Sequence, residues 1–169
     1  MLIRPAKLTD ADAIGQIHVT TWQVAYRGQI PDEDLDVLDV SSRAAFWREV
    51  LSVPHNVLVV ELDSVIAGFC SLIPSRDDDA GHLTVAEIAT LYISPQYWRR
   101  GLGRQLCSTA CDDALRAGFS SVTLWVFSTN SRAIGFYESL HFQRDGAAWS
   151  ETTSDGASLH KIRMRRPLA

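Results

Sequence analysis

Apolar residues recur along the chain with two spacings, one typical of helices and one of strands. The helical segments begin at Thr9 or Asp10, at Ser41 or Ser42, after Gly103, and at Ser131. The strand-like segments are residues 2–5, 57–61, 65–73, 88–93, 121–127, 142–149 and 159–164. Turns at Leu62-Asp63-Ser64 and Ser154-Asp155-Gly156 join two pairs of strands. The order β-α-α-β-β-β-α-β-α-β-β predicts an α/β sandwich with a mixed sheet.

The composition is typical of one soluble, globular domain, which we expect to span residues 1–169. Hydrophobic residues make up 46% of the chain, which allows a substantial core. No run of 18 apolar residues offers a membrane span. The first residues lead directly into the opening strand without a signal-peptide pattern. We therefore expect a cytoplasmic protein that does not bind a membrane.

Charge and cysteine content argue against two further classes of protein. The net charge of −4 gives no electrostatic footprint for nucleic acid. Cys70, Cys107 and Cys111 are odd in number and lack metal-ligand spacing, so we expect reduced thiols and no metal. Acidic residues crowd two predicted loops, at 32–39 and at 77–79. They either keep these loops solvated or attract a cationic substrate.

The stretch from Glu87 to Leu106 carries the most informative chemistry. Its apolar run Ile88–Ile93 is followed by Pro95 and by a basic, glycine-containing turn that leads into a helix. The first N–H groups of a helix lack intrahelical partners and carry the positive end of its dipole. Glycines let a phosphate approach these groups closely, and arginines add positive charge. We therefore predict a diphosphate-binding loop made of Arg99, Arg100, Gly101, Leu102, Gly103 and Arg104.

Two common nucleotide-binding motifs do not fit this loop. The chain has no G-x-x-x-x-G-K-[ST] pattern, and Leu106 stands where G-x-G-x-x-G requires its third glycine. A G-x-G pattern alone is also typical of an ordinary tight turn before a helix. We therefore expect a ligand that contains phosphates but is neither ATP nor a dinucleotide.

Three sequence blocks resemble the GCN5-related N-acetyltransferases, the GNAT superfamily. Residues 86–104 are similar to the family's fourth strand and its acetyl-CoA loop, Q/R-x-x-G-x-G/A. The family's N-x-x-A-x-x-F-Y-x-x-x-G-F motif is similar to Asn130-Ser-Arg-Ala-Ile-Gly-Phe-Tyr-Glu-Ser-Leu-His-Phe142. The third block is the opening, Ile3-Arg-Pro-Ala6 followed by Asp10-Ala-Asp12. The resemblance covers essentially the whole chain and implies a mixed, mostly antiparallel sheet with helices on both faces.

The sequence departs from these motifs at two positions. Trp98 stands where the acetyl-CoA loop begins with Gln or Arg, which affects that side-chain contact more than the backbone N–H groups of the loop. His141 stands where the second motif has glycine, at a position that favours the left-handed αL conformation. We expect both effects to be local.

The resemblance implies transfer of the acetyl group of acetyl-CoA to a primary amine by direct attack. This reaction needs a neutral amine, a donor to the thioester oxygen and a proton for the leaving thiolate. Tyr137 matches the family's thiolate acid, although an aromatic residue on a short helix also suits a core position. Backbone groups of Leu91, Tyr92 and Ile93 and the side chain of Asn130 would contact the pantetheine arm. Asn130 suits a helix N-cap equally well.

Glu87 is the candidate general base. In an unbroken strand it shares a face with Ala89, Leu91 and Ile93, on an otherwise apolar wall. Burial there would disfavour the charged carboxylate and strengthen it as a base, acting directly or through water. A kink in the strand would instead turn Glu87 toward solvent.

The acceptor of the acetyl group is an amine of a small molecule or a peptide, and the sequence does not name it. Trp22 and Tyr26 lie where relatives place the acceptor-side wall, and they suit core positions as well. A non-catalytic acetyl-CoA-binding or sensing domain and a transferase of a longer acyl-CoA are the alternatives, and a homodimer is left open. The presence of Tyr137 and Glu87 favours the enzyme over the sensor.

Overall fold

The computed structural model describes residues 1–80, 84–152, 156 and 158–169. Within these residues the strands are β1 Leu2–Pro5, β2 Val57–Leu62, β3 Val65–Pro74, β4 Val85–Ile93, β5 Ser121–Phe127, β6 Gln143–Thr152 and β7 Ser158–Pro167. The helices are α1 Ala11–Ala25, α2 Asp32–Asp36, α3 Val40–Leu51, α4 Leu102–Arg116 and α5 Ser131–Glu138. The predicted order of elements is confirmed, with the five-residue helix α2 as an addition.

The strands form one mixed sheet in the order β1-β2-β3-β4-β5-β7-β6. β4 and β5 are parallel and pair over Val85–Glu87 and Ser121–Thr123, whereas β1–β2, β2–β3, β5–β7 and β6–β7 are antiparallel. The β2–β3 hairpin turns at Asp63 and Ser64, whose φ angles of 48° and 65° suit a tight hairpin turn. The mostly antiparallel mixed sheet and this hairpin are confirmed. Ser154 and Asp155 of the predicted last turn lie outside the described residues.

Contacts along the chain divide it into two compact units. The first unit contains Met1–Ser71 and Thr90–Cys107, and the second contains Leu72–Ala89 and Ser108–Ala169. The single domain expected over residues 1–169 therefore stays a prediction.

In the first unit, α1 packs against α3. The two helices approach so closely that a Cβ atom on Gly15 would lie 2.7 Å from the backbone nitrogen of Ala44. The buried side chains of this core include Ala11, Ile14, Ile17, Trp47, Leu51, Val57, Val59 and Phe69. Glycine at position 15 is therefore required by packing.

The helix starts differ slightly from the predicted ones. α3 begins at Val40, one or two residues before the predicted start at Ser41 or Ser42, because the Asp39 carboxylate accepts a hydrogen bond from the Ser42 N–H at 2.6 Å. Asp10 precedes α1 but does not cap it through its side chain. Its carboxylate instead accepts from Arg4 at 2.7 Å and from the Lys7 N–H at 2.7 Å.

α4 presents the predicted apolar row to the core. The buried members of this row are Leu102, Leu106, Ala110 and Ala114. Gly118 follows the last turn with a φ of 90°, as expected for a helix stop. Cys70, Cys107 and Cys111 are buried free thiols. None of the helices in the described ranges is long and apolar enough to cross a membrane.

Candidate active site

The predicted diphosphate-binding loop lies at the N-terminus of α4. Arg99 and Gly101 adopt positive φ angles of 62° and 79°, and the helix begins at the next residue, Leu102. A Cβ atom on Gly101 would have no heavy atom within 4 Å, so the backbone is open on that side. The side chains of Arg99, Arg100 and Arg104 are exposed. A helix N-terminus with an open backbone at Gly101 and with exposed arginines nearby suits a diphosphate.

Two further residues of the loop form the first turn of α4. Leu102 is buried, so only its backbone can contribute to a ligand site. Gly103 is partly exposed. The Arg100 guanidinium carbon lies 5.4 Å from the ring centroid of Tyr97, a cation–π contact that holds this side chain beside the loop.

Trp98 has a role that sequence reasoning missed. Its indole N–H donates to the Ile93 carbonyl at 2.6 Å, and the Thr21 hydroxyl donates to the same carbonyl at 3.3 Å. The side chain of Trp98 thereby ties the start of the loop to the last residue of β4. Because the Ile93 carbonyl is engaged within the fold, a pantetheine contact at Ile93 would depend on its N–H.

The aromatic residues predicted for the acceptor wall lie at the C-terminal end of α1. Trp22 and Tyr26 are half-buried and pack edge to face, with their ring centroids 5.1 Å apart. The Trp22 indole N–H also donates to the Tyr92 hydroxyl oxygen at 2.9 Å. Burial raises the pKa of Tyr92, so this hydroxyl keeps its proton. Trp22 is therefore joined to the interior through Tyr92 and still keeps part of its ring at the surface.

His18 lies one helical turn before Trp22, with its ring centroid 5.1 Å from that of Tyr92. Its Nδ1 atom accepts a hydrogen bond from the Trp47 indole N–H at 3.2 Å. Burial lowers the pKa of His18 to about 4, with a smaller contribution from the positive charge of Arg43. His18 is therefore a neutral part of this aromatic cluster at neutral pH.

Thr90 and Leu91 are half-buried residues of β4. The hydroxyl oxygen of Thr90 is buried and has no hydrogen-bond partner among the described residues. A buried hydroxyl without a partner is costly, and such groups are uncommon in folded proteins. Thr90 is therefore a point on β4 where a bound molecule could supply the missing hydrogen bond.

Glu87 belongs to the second unit and is 3% exposed. Its Oε1 atom accepts from the Arg76 guanidinium at 2.7 Å, and its Oε2 atom accepts from the Arg76 backbone N–H at 3.4 Å. The alternative of a solvent-facing glutamate is therefore wrong. The prediction of a carboxylate on an otherwise apolar wall is wrong in one respect, because the positive charge of Arg76 compensates the negative charge of Glu87.

The structure revises both sequence interpretations for two of the three acidic residues at 77–79. Asp77 and Asp79 are neither merely solvated nor left to attract a substrate, because both carboxylates bind Arg163 of β7, at 3.0 and 2.6 Å. Hydrogen bonds from Arg163 lower the pKa of Asp79. Sequence reasoning missed Arg76 and Arg163. The sequence indicated Arg163 only as a charged residue within the predicted strand 159–164.

The other acidic run is also engaged within the fold. Asp32 and Asp36, at the two ends of α2, bind Arg27 at 3.2 and 2.8 Å. Asp39 caps α3. The predicted loop at 32–39 is therefore in part a helix held by ion pairs.

Tyr137 lies on α5 and is half-buried. Its ring packs edge to face against Phe136 and Phe142, with centroids 5.0 and 5.7 Å away. Asn130 is the N-cap of this helix, since its side-chain oxygen accepts from the Ala133 N–H at 3.0 Å. The capping role is confirmed, and the pantetheine contact of the Asn130 amide stays a prediction. His141 adopts the expected αL conformation, with a φ of 66°.

Comparisons with known proteins agree with the motifs. The sequence profile of the Acetyltransferase (GNAT) family matches residues 14–142. The chain is 31% identical over 142 residues to the L-methionine sulfoximine/L-methionine sulfone acetyltransferase of Salmonella typhimurium, covering 84% of this chain and 80% of that protein. It is 29% identical over 142 residues to the L-amino acid N-acyltransferase MnaT of Escherichia coli, covering 84% and 79%.

A solved structure gives the same result. The YncA protein of Salmonella typhimurium, whose structure was determined with its cofactor acetyl-CoA, matches this fold with a TM-score of 0.76 at 27% identity, covering 100% of this chain and 94% of that chain. The expected enzyme class, an acetyl-CoA-dependent N-acetyltransferase, is confirmed. Because the family profile extends from α1 to the residues that follow α5 and includes both predicted motifs, the chain belongs to the Acetyltransferase (GNAT) family.

Proposed function

We propose that this chain transfers the acetyl group of acetyl-CoA to a primary amine by direct attack, with Glu87 as the base and Tyr137 as the acid. The observation that carries the proposal is the buried carboxylate of Glu87 on β4, the strand that leads into the open loop at Arg99–Arg104. A carboxylate on such a strand is a candidate general base.

The residues of the loop and of β4 fit a cosubstrate that contains a diphosphate. The open backbone at Gly101 and the exposed arginines would hold the phosphates. The N–H groups of Leu91, Tyr92 and Ile93 and the Asn130 amide would hold the pantetheine arm. The Thr90 hydroxyl, which has no hydrogen-bond partner in the part of the chain that the structure describes, lies on the same strand. When bound, acetyl-CoA supplies an acetyl group activated as a thioester.

Glu87 would remove the proton that keeps the acceptor amine from attacking. An ammonium has no lone pair, so it must lose a proton before it becomes a nucleophile. The Oε1 atom of Glu87 is engaged by the Arg76 guanidinium at 2.7 Å, whereas the contact of Oε2 with the Arg76 N–H is 3.4 Å long. Oε2 therefore has the larger capacity to accept a proton from the amine, directly or through one water molecule.

Tyr137 would give its phenolic proton to the sulfur of the leaving thiolate. A phenol stays protonated at neutral pH and can donate at short range. The Tyr137 ring packs edge to face against the rings of Phe136 and Phe142, which would restrict the positions of its hydroxyl. A fixed donor lowers the entropic cost of reaching the transition state.

The acceptor is proposed to be the amine of a small molecule or a peptide. One relative is an L-amino acid N-acyltransferase and another is an L-methionine sulfoximine/L-methionine sulfone acetyltransferase, which favours acceptors of that size. Trp22 and Tyr26 would contribute aromatic surface to the acceptor-binding wall.

The test is an assay of free-thiol release from acetyl-CoA with a panel of amines. The panel contains L-methionine sulfone, L-alanine, a peptide that begins with alanine, and spermidine, and mass spectrometry identifies the acetylated product. We expect release well above the rate of acetyl-CoA hydrolysis for at least one amine. Thermal stabilisation by CoA without turnover on any amine would instead favour the sensing domain, and faster reaction with butyryl-CoA would favour the longer acyl group.

A further inference from the structure

A buried arginine in the second unit gathers three aspartates and a tryptophan. The Arg163 side chain is 5% exposed. Its Nε donates to Asp145 at 2.7 Å, Nη1 donates to Asp77 and Asp79 at 3.0 and 2.6 Å, and Nη2 donates to Asp79 at 2.6 Å. The guanidinium carbon lies 5.8 Å from the ring centroid of Trp125. We call these five residues the Arg163 cluster.

The Arg163 cluster fixes Asp77 from two strands. One oxygen of Asp77 accepts from Arg163 of β7, and the other accepts from the Trp125 indole N–H of β5 at 3.2 Å. A buried guanidinium is stable only when its donors are paired, and the Arg163 and Asp77 side chains are 5% and 18% exposed, so this ion pair holds Asp77 in place. The segment Ser75–Asp79, which carries two of the three aspartates, is also anchored by a hydrogen bond from the Ser75 N–H to the Val85 carbonyl at 2.9 Å.

The residue next to Asp77 in this segment holds Glu87. Arg76 contacts both carboxylate oxygens of Glu87, through its guanidinium at 2.7 Å and its backbone N–H at 3.4 Å. The Arg76 side chain is 72% exposed, whereas that of Glu87 is 4% exposed. Packing against neighbours therefore does little to orient Arg76, and its position depends on the backbone that Asp77 fixes.

We propose that Arg163 is a positioning residue for the transfer reaction. Through Asp77 it fixes the segment Ser75–Asp79, and through Arg76 this segment orients the Glu87 carboxylate. The proposal rests on the proposed function, in which Glu87 is the base. It assigns to a residue of β7 an effect on proton transfer at β4 without any contact between Arg163 and the substrate.

The direct variant is Arg163→Lys, because an ammonium is a single point charge and cannot bind three carboxylates in a planar fork. Asp77→Asn is the second variant, since it weakens the link to the segment while leaving the Arg163 contacts with Asp79 and Asp145. Asp10→Asn is the matched control. It weakens another arginine–carboxylate pair, with Arg4 at 2.7 Å in the first unit, and should lower the melting temperature while leaving kcat unchanged.

Each variant is made in the wild-type chain and in the Glu87→Gln chain, and kcat and KM are measured by thiol release with the amine of the panel that reacts fastest. In the wild-type chain we expect Arg163→Lys and Asp77→Asn to lower kcat about 10-fold or more, as misplacement of a reacting group does, with the KM for acetyl-CoA unchanged. In the Glu87→Gln chain the same changes should have no further effect on kcat, because the group that they position is gone.

Three results overturn the proposal, and the first two are distinguishable from the third. An equal loss of kcat in both chains, or no loss in the wild-type chain for a folded Asp77→Asn, would mean that Arg163 does not act through Glu87. Wild-type kcat in Glu87→Gln alone would remove the base itself, and with it both the proposed role of Glu87 and this inference.

Discussion

The indole N–H of Trp22 donates to the hydroxyl oxygen of Tyr92 at 2.9 Å and so joins α1 to β4 within the first unit. Tyr92→Phe would leave the indole N–H of Trp22 without this acceptor, in a half-buried position. We expect the free energy of unfolding to fall by about 1 kcal/mol, the typical net value of one hydrogen bond. Urea unfolding, followed by circular dichroism, measures this change in the free energy of unfolding.

The control for this prediction is a double-mutant cycle with Trp22→Phe. If the hydrogen bond accounts for the loss, the double variant should be more stable than the sum of the two single effects predicts. Strict additivity of the two changes would mean that the hydrogen bond contributes nothing measurable, and that ring packing dominates at both positions.

Gly103→Asp tests the diphosphate-binding loop. A ligand that binds only the folded state raises its stability, by about 2.7 kcal/mol at a ligand concentration 100 times the Kd. A carboxylate in the first turn of α4 should repel the diphosphate and abolish the increase in melting temperature that CoA produces in the wild-type chain. Leu115→Asp, which places the same charge near the C-terminus of the same helix, should keep the increase. An undiminished CoA effect in a folded Gly103→Asp protein would refute the loop assignment.

Tyr137→Phe tests the thiolate acid. The change removes one hydroxyl group and keeps the ring that packs against Phe136 and Phe142, so folding and CoA binding should persist. Turnover should fall by roughly 10²–10⁴-fold, the usual contribution of a general acid. Steady-state thiol release measures the turnover, and CoA-induced thermal stabilisation is the control for folding and CoA binding. A variant with wild-type turnover would make Tyr137 a core residue.

We expect the buried His18 to make the stability of the folded protein depend on pH. Burial holds its pKa at about 4, below the ordinary value of 6.5. Between these values the unfolded chain binds a proton at His18 and the folded chain does not. The free energy of unfolding should therefore fall as the pH is lowered from 6.5 to 4, by roughly 3 kcal/mol at most.

Urea unfolding at several pH values, for the wild type and for His18→Asn, isolates this contribution. Asparagine keeps a side-chain acceptor near the Trp47 indole N–H and does not titrate in this range. The variant should therefore lose less stability than the wild type as the pH falls. Parallel pH profiles would mean that His18 titrates at its ordinary value in the folded protein.

Sequence patterns predicted the features that depend on near neighbours in the chain. The hairpin at Leu62-Asp63-Ser64 needs only two residues that tolerate positive φ between apolar strands. The buried row that begins at Leu102 follows from helical spacing alone. For Asn130 the sequence predicted two roles, a helix N-cap and a ligand contact, because an amide side chain suits either one. The structure shows the N-cap.

Features that depend on distant partners could not be predicted in this way. The sequence did not show that Asp77 and Asp79 bind Arg163, because Arg163 lies 84 to 86 positions away. Helix α2 has no apolar period, and only Leu35 within it is buried. The engagement of Trp98 with the Ile93 carbonyl depends on how the loop folds back on β4. In each case the type of side chain is compatible with several roles, and tertiary contacts decide which role it has.

Glu87→Gln tests the proposed base. The amide is close in size to the carboxylate and can still accept from Arg76, so folding and CoA binding should be retained. If Glu87 takes a proton from the acceptor amine, the wild-type rate should rise with pH through an apparent pKa that the variant displaces or removes. The loss should appear in kcat, with the KM for acetyl-CoA little changed, because only the step that involves proton transfer is affected. Thiol release measured across pH for both proteins provides the comparison. Full activity with an unchanged pH profile would mean that the amine arrives already neutral, and the base role would then be abandoned while the family assignment would stand.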